Sequence, residues 1–220
     1  MRATKQSDLV EMVELAETLY EKRSQMHEPQ DLPGRFGRVI KAIDRVLKAI
    51  EAESVLAGGW AVWHHGMPER ITRDLDIVIA TDKIEDFLQA ASVAGFQVLA
   101  RKPGRWPKLI HKETGVGVDL MPEGARPGRP DRPAPIMIRN PHDLGAEGRR
   151  LRYINFVSLI ELKVAAGRGK DEVDVMELLK ASPEAIPVIR HHLASSHAEI
   201  LARFDRLAAR AQEEQAAGEP

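Results

Sequence analysis

Apolar residues recur at helical spacing at both ends of the chain and in short strand-like runs between them. Leu9, Met12, Val13, Ala16, Leu19 and Tyr20 share one helical face, with Ser7 in N-cap position. Pro33 and Gly34 place a loop at 30–34. Phe36, Val39, Ile40, Ile43, Val46, Leu47 and Ile50 then mark a second helix. At SVLAGG (54–59) the helical period stops, and an apolar run ending in two glycines predicts a buried strand entering a turn. A short helix follows over 60–66. DLDIVIA (74–80) is β-rich and predicts a central strand. Residues 82–94 form an amphipathic helix, with Asp82 and Glu85 at capping-box spacing and Gly95 as its terminal glycine. Strands are predicted at 96–99, 109–112 and 116–120. PEGARPGRPDRPAP (122–135) is too rich in Pro, Gly and Arg for a regular element and predicts a mobile loop. Helical spacing returns over 156–166, 171–180 and 187–210. The order predicts an α+β fold: N-terminal helices (1–53), a mixed-sheet α/β core (54–154) and a C-terminal helical subdomain (155–220).

Composition narrows the chemistry. With 43% apolar and 30% charged residues over 220 positions, the chain buries an ordinary core without a metal or disulfide staple. The net charge of −1 gives no whole-molecule attraction to nucleic acid or membrane. The absence of cysteine excludes disulfides, thiolate catalysis and thiolate metal sites. The charged N-terminus is no signal peptide, and no run approaches the roughly 20 apolar residues of a membrane span. These features predict a cytoplasmic protein with no membrane partner.

The chemistry concentrates in Arg73-Asp74-Leu75-Asp76. Alternate strand residues face the same side, so Asp74 and Asp76 project together. Two carboxylates that close repel, and a divalent cation removes the conflict; hard oxygen ligands suit Mg2+ or Mn2+. The plain alternative is a solvated pair at a strand start. Asp119, between Val118 and Leu120 in a second β-like segment, is costly to bury unpaired and supplies a third ligand if its strand lies alongside. Carboxylates around metal ions suit in-line phosphoryl or nucleotidyl transfer. Upstream, Gly58-Gly59 lets backbone N–H groups at a helix start approach a phosphate.

AGGWAVWHHGMPERITRDLDIVI resembles the signature of the DNA polymerase beta-like nucleotidyltransferase superfamily. It is most similar to the minimal branch that holds abortive-infection type toxins and relatives of aminoglycoside nucleotidyltransferases. The resemblance rests on Gly58-Gly59, Arg70-x-Thr72-x-Asp74-x-Asp76 and the later Asp119, and covers about residues 54–180. It implies a metal-dependent transfer of a nucleoside monophosphate from a triphosphate to an acceptor hydroxyl, with pyrophosphate released. Asp74, Asp76 and Asp119 would be the metal ligands and, with Lys163, the catalytic set. Gly58, Gly59, Arg70, Thr72, Lys163 and Arg168 would meet the nucleotide. The branch further implies the toxin of a toxin–antitoxin pair, with an antitoxin protein as partner. Many members carry serine after the first glycine, where this chain has Gly59.

Lys163 lies on an apolar helical stripe with Leu159, Ile160 and Gly167, either reaching the triphosphate or snorkelling to water. Asp171 and Asp174 are accounted for by the helix dipole. His64-His65 and His191-His192 are adjacent pairs that diverge on a helix and chelate poorly. Trp60 and Trp63 read as core, and Trp106, within RKPGRWPK, as a loop anchor or a base-stacking platform. Arginines and lysines cluster at 101–108, 126–132 and 149–152, and point to an RNA acceptor such as a tRNA end, against the commoner use of such residues in solubilising loops. Two rivals remain. A glycosyltransferase also uses D-x-D but needs a longer α/β domain before the motif. A catalytically degenerate nucleotide- or partner-binding module of the same fold would keep the shape alone.

Overall fold

The computed structural model describes residues 13–67, 70, 72–100 and 105–218; Ser7, Leu9, Met12, Arg101 and Lys102 lie outside them. The described chain opens on helical residues 13–21 (α1), followed by α2 (Gly34–Ala49). α2 buries Phe36, Val39, Ile40, Ile43, Val46 and Leu47, the face its apolar period predicts, while Ile50 becomes its C-cap. β1 (Ser54–Leu56) leads into α3 (Gly58–His65), which begins on the glycine pair itself. β2 (Asp74–Ile79), α4 (Ile84–Val93), β3 (Phe96–Val98), β4 (Lys108–His111) and β5 (Gly117–Pro122) follow. The helical part comprises α5 (Phe156–Ala166), α6 (Gly169–Ala181), α7 (Ile186–Ala194) and α8 (Ala198–Ala216).

Two local expectations are corrected and one strand is added. Thr81–Lys83 forms a 3-10 turn before α4, whose N-cap Lys83 makes no side-chain cap bond, so the Asp82/Glu85 capping box does not form. Within 122–135, β6 (Gly128–Arg129) and β7 (Arg132–Pro133) pair as a small hairpin, with Gly128 opposite Pro133 and Arg129 opposite Arg132. The Arg126 guanidinium braces it by donating to the Ala134 carbonyl at 2.9 Å. A further strand, β8 (Leu151–Tyr153), buries Leu151 and Tyr153 and turns Arg152 outward; three residues are too few for its alternation to stand out.

The main sheet has the order β3-β4-β5-β2-β1-β8. β1 runs antiparallel to β2 and parallel to β8, β2 runs parallel to β5, and β4 is antiparallel to both β3 and β5. This is the mixed sheet and helical C-terminal block of an α+β protein. One continuous apolar core runs from Leu19 to Ala211 and takes in both halves, with Trp60 and Trp63 inside it. Among the described residues no helix is long and apolar enough to cross a membrane.

His64, at the end of α3, stacks on Tyr153 with ring centroids 4.0 Å apart. Burial, reinforced by His65, lowers its pKa to about 4. A folded-state pKa below the unfolded value contributes stability above pH 6.5, and that contribution is lost as pH falls toward 4. Discounted for the ring's partial exposure, it amounts to about 1 kcal/mol, or roughly 2–4 °C. The His64→Phe variant keeps the stack, so its melting temperature should fall less between pH 6.5 and 4 than that of the wild type. Parallel thermal melts check this, and identical pH profiles would refute it.

Candidate functional site

β2 and β5 pair in register, Asp76 opposite Asp119 and Asp74 opposite Gly117. Directly paired residues on neighbouring strands share a face of the sheet, about 4.8 Å apart, so Asp76 and Asp119 stand side by side. Val118 and Leu120 turn to the other face, into the core. Burial and the Asp119 charge push the Asp76 carboxyl up to about 6, against the opposing pull of Lys163, Lys170 and Arg168. Asp74 begins its strand in an exposed position, its carboxylate lying over Gly117, where a Cβ would stand 3.0 Å from Oδ1.

Above Asp76 sits the glycine turn. Gly58 adopts φ +61°, and a Cβ there would come within 1.8 Å of Asp76 Oδ2. Only glycine lets the α3 start approach this carboxylate so closely. The N-cap of α3 is Ala57, which offers no side-chain oxygen, so the first-turn N–H groups have no capping side chain. At Gly59 a Cβ would meet Thr72 Cβ at 2.7 Å. The serine of related sequences therefore has no room here unless Thr72 shifts.

A cleft of about 630 Å³ opens over this face. Its floor holds Gly58, Asp76 and Asp119, with Lys163 and Arg168 on the α5–α6 side. Arg105, Trp106 and Lys108 form one wall of the mouth; Arg126 and Arg129 form another. Of the predicted residues, Asp74, Gly59, Arg70 and Thr72 do not line it. The 149–152 cluster is tied into ion pairs with Glu28, Asp44 and Glu147, beside and on the edge strand β8, and does not reach the cleft.

Lys163 is 6% exposed and does not snorkel. Its ammonium lies 2.6 Å from Asp174 and 3.3 Å from Asp171. Arg70 meets Asp174 at 2.8 Å, and Arg168 donates to Asp171. Burial alone would raise the Asp171 pKa, but the Arg168 hydrogen bond and the Lys163 charge outweigh it and lower it. The helix dipole is therefore not the whole account of Asp171 and Asp174: both are buried partners of Lys163. A third buried acid, Glu161, receives Arg139, His192 and Ser196 at 3.1, 3.1 and 2.8 Å. The reasoning that singled out Lys163 applies equally to Glu161, two residues earlier on the same apolar helix.

The sequence marks Lys108 only as one of the cations at 101–108, not as a partner of Asp119. The lysine pairs with Asp119 in the β4–β5 register and places its ammonium 2.7 Å from both carboxylate oxygens. Among the described residues no group of three His, Asp or Glu side chains is already gathered as a cation cage. The donor chemistry nevertheless fits a hard divalent ion. Asp76 and Asp119 supply carboxylate oxygens whose mutual repulsion a cation relieves, and Asp74 is two residues along β2 on the same face.

No curated protein matches the chain in sequence. Residues 39–122 match the family model Aminoglycoside-2''-adenylyltransferase, a stretch that holds the glycine turn, Asp74, Asp76, Lys108 and Asp119 and ends before α5. Among solved structures, ANT(2'')-Ia in complex with adenylyl-2''-tobramycin is similar at 14% identity, with 71% of this chain and 95% of that chain covered and a TM-score of 0.46. The lincosamide antibiotic adenylyltransferase LnuA, lincomycin-bound, is 19% identical over 64% of this chain and 94% of its own, with a TM-score of 0.44. An antigenic nucleotidyltransferase-like protein from Paracoccidioides brasiliensis is 13% identical over 82% of this chain and 90% of its own, with a TM-score of 0.47. The matched family is an aminoglycoside adenylyltransferase family, not one of abortive-infection toxins. The stretch that carries the three aspartates thus matches a nucleotidyltransferase family model.

Proposed function

We propose that the protein transfers a nucleoside monophosphate from a nucleoside triphosphate to an acceptor hydroxyl, the acceptor being an RNA end. The observation that carries the reading is the pairing of Asp76 with Asp119 beneath the Gly58 turn, in a cleft that also holds Lys163 and Arg168. In this reading residues 54–154 are the transfer core, flanked by the helical segments 1–53 and 155–220.

Asp74, Asp76 and Asp119 would hold Mg2+ or Mn2+, which when bound supplies charge neutralisation at the phosphates and lowers the pKa of the acceptor hydroxyl. The chain's own groups do the rest. The first-turn N–H groups of α3 receive phosphate oxygens. Lys163 and Arg168, held in place by Asp171 and Asp174, set positive charge toward the same phosphates. Asp119 accepts the acceptor's proton if the hydroxyl reaches it directly. Arg70 and Thr72 act from behind, Arg70 through Asp174 and Thr72 by packing on Gly59.

The lining of the mouth supports an RNA acceptor. An aminoglycoside carries several ammonium groups and would meet Arg105, Lys108, Arg126 and Arg129; an RNA end brings phosphates to those cations and a base to Trp106. Modification of a tRNA end would stop translation, which is how this activity would make the protein a toxin with an antitoxin partner. Replacing Arg126, Arg129 and Arg132 together by Ser should flatten the salt dependence of RNA binding, by up to about 2 log units per log unit of salt. Triphosphate affinity should be unchanged. RNA binding that is absent at low salt, or a slope unaltered by the triple change, would rule the RNA acceptor out.

The Lys108–Asp119 pair favours one second reading, a degenerate binding module whose third carboxylate is permanently neutralised. Incubating the protein with labelled triphosphates, Mg2+ or Mn2+ and total cellular RNA separates the two, since only the enzyme leaves label on the acceptor.

A further inference from the structure

We propose that Lys108 is an exchangeable counter-cation of the carboxylate site, occupying Asp119 until a divalent ion displaces it. The inference rests on the reading of the site given above. The ammonium touches both oxygens of Asp119 at 2.7 Å. A divalent ion that approaches Asp119 therefore meets an ammonium already shared between its two oxygens, and the two positive charges repel. The pairing follows from the strand register, because β4 sets Lys108 directly opposite Asp119 as β2 sets Asp76 on its other side. Asp119 therefore stands between a like charge and an opposite one, and the lysine holds it while no metal is present.

Exposure makes the exchange easy. The Lys108 side chain is 54% exposed and Asp119 23%. An ion pair that open to water contributes little, and the flexible stem regains freedom on release. Lys163, with Asp171 and Asp174 buried around it, has no such freedom. The released ammonium stays at the mouth of the cleft beside Arg105 and Trp106. Metal loading therefore adds a free cation to the wall that faces the acceptor, and by reciprocity an anionic acceptor drawing Lys108 away favours the metal.

The test is Mn2+ binding to the full chain without nucleotide, read from the electron paramagnetic resonance signal of free Mn2+. Wild type is compared with Lys108→Met, Lys108→Arg and Asp76→Asn, each checked for folding by circular dichroism. Lys108→Met should bind Mn2+ about two- to fivefold more tightly than wild type, and Lys108→Arg should match wild type. Equal or weaker binding by Lys108→Met, with binding lost in Asp76→Asn, overturns the role of Lys108 and leaves the metal site standing. Undiminished binding by Asp76→Asn overturns the site on which the proposal rests.

Discussion

Asp76→Asn is expected to stabilise the metal-free protein at neutral pH while abolishing its response to divalent metal. Asp76 is pushed up to about 6 by burial and then by the Asp119 charge, so its ionised form is disfavoured in the fold. The sign follows from linkage. A carboxyl whose folded pKa lies above its unfolded value of 3.8 costs stability once it is ionised. That cost is absent below about pH 4, grows through pH 6 and is complete above it. Asparagine never ionises and escapes it. At about 1.4 kcal/mol per pKa unit, the gain at pH 7.5 is at most about 3 kcal/mol, or roughly 6–12 °C for a chain of this size. The gain should vanish below pH 4. Added Mn2+ should raise the wild-type melting temperature and leave the variant unmoved, since a ligand stabilises only the state that binds it. Thermal melts over pH 4–8, with and without Mn2+, read both effects. A variant less stable than wild type at pH 7.5 would contradict the charge conflict, and one that still responds to Mn2+ would place the metal elsewhere.

Lys163→Met is expected to destabilise the protein strongly, against the weak effect that a snorkelling or solvent-facing lysine would produce. Methionine keeps the apolar stem but strips the ammonium from between Asp171 and Asp174, which are buried. Removing one partner of a buried pair leaves a charge without compensation, at a cost of about 3–5 kcal/mol. Arg70 and Arg168 still reach Asp174 and Asp171, which puts the expected loss near the lower end, about 3 kcal/mol. The double variant Lys163→Met/Asp174→Asn should recover part of it, because the two sites share one network. Triphosphate binding should weaken in both variants. A melt unchanged by Lys163→Met would mean that the network contributes nothing to folding. Normal triphosphate binding in the destabilised variant would confine Lys163 to a structural role.

The same contrast between local and long-range information runs through the fold. The α2 face from Phe36 to Leu47 follows from the side-chain period, β2 from its run of β-branched apolar residues, and α5 from an apolar run that Gly167 ends. Alternation along β2 likewise determined that Asp74 and Asp76 share a face, and the glycine pair marked the turn above them. The hairpin at 128–133 was hidden because its Pro and Gly content resembles a loop's, and pairing across so short a turn leaves no period to read. β8 was hidden because three residues are too few for their alternation to stand out, and its partner β1 lies far away in the chain.

What the sequence by itself determined about this protein is therefore the set of elements and the acids they carry. Tertiary structure alone decided how those acids are partnered. Strand order and register place Asp119 beside Asp76 and Lys108 opposite Asp119, and these depend on residues more than forty positions apart in one case and eleven in the other. The packing of α6 on α5 decides that Lys163 is met by Asp171 and Asp174. The physical reason is one of range. Burial period is written into each segment, whereas the partner of a charge is whatever the closed sheet and packed helices bring to it, and no local pattern encodes that meeting.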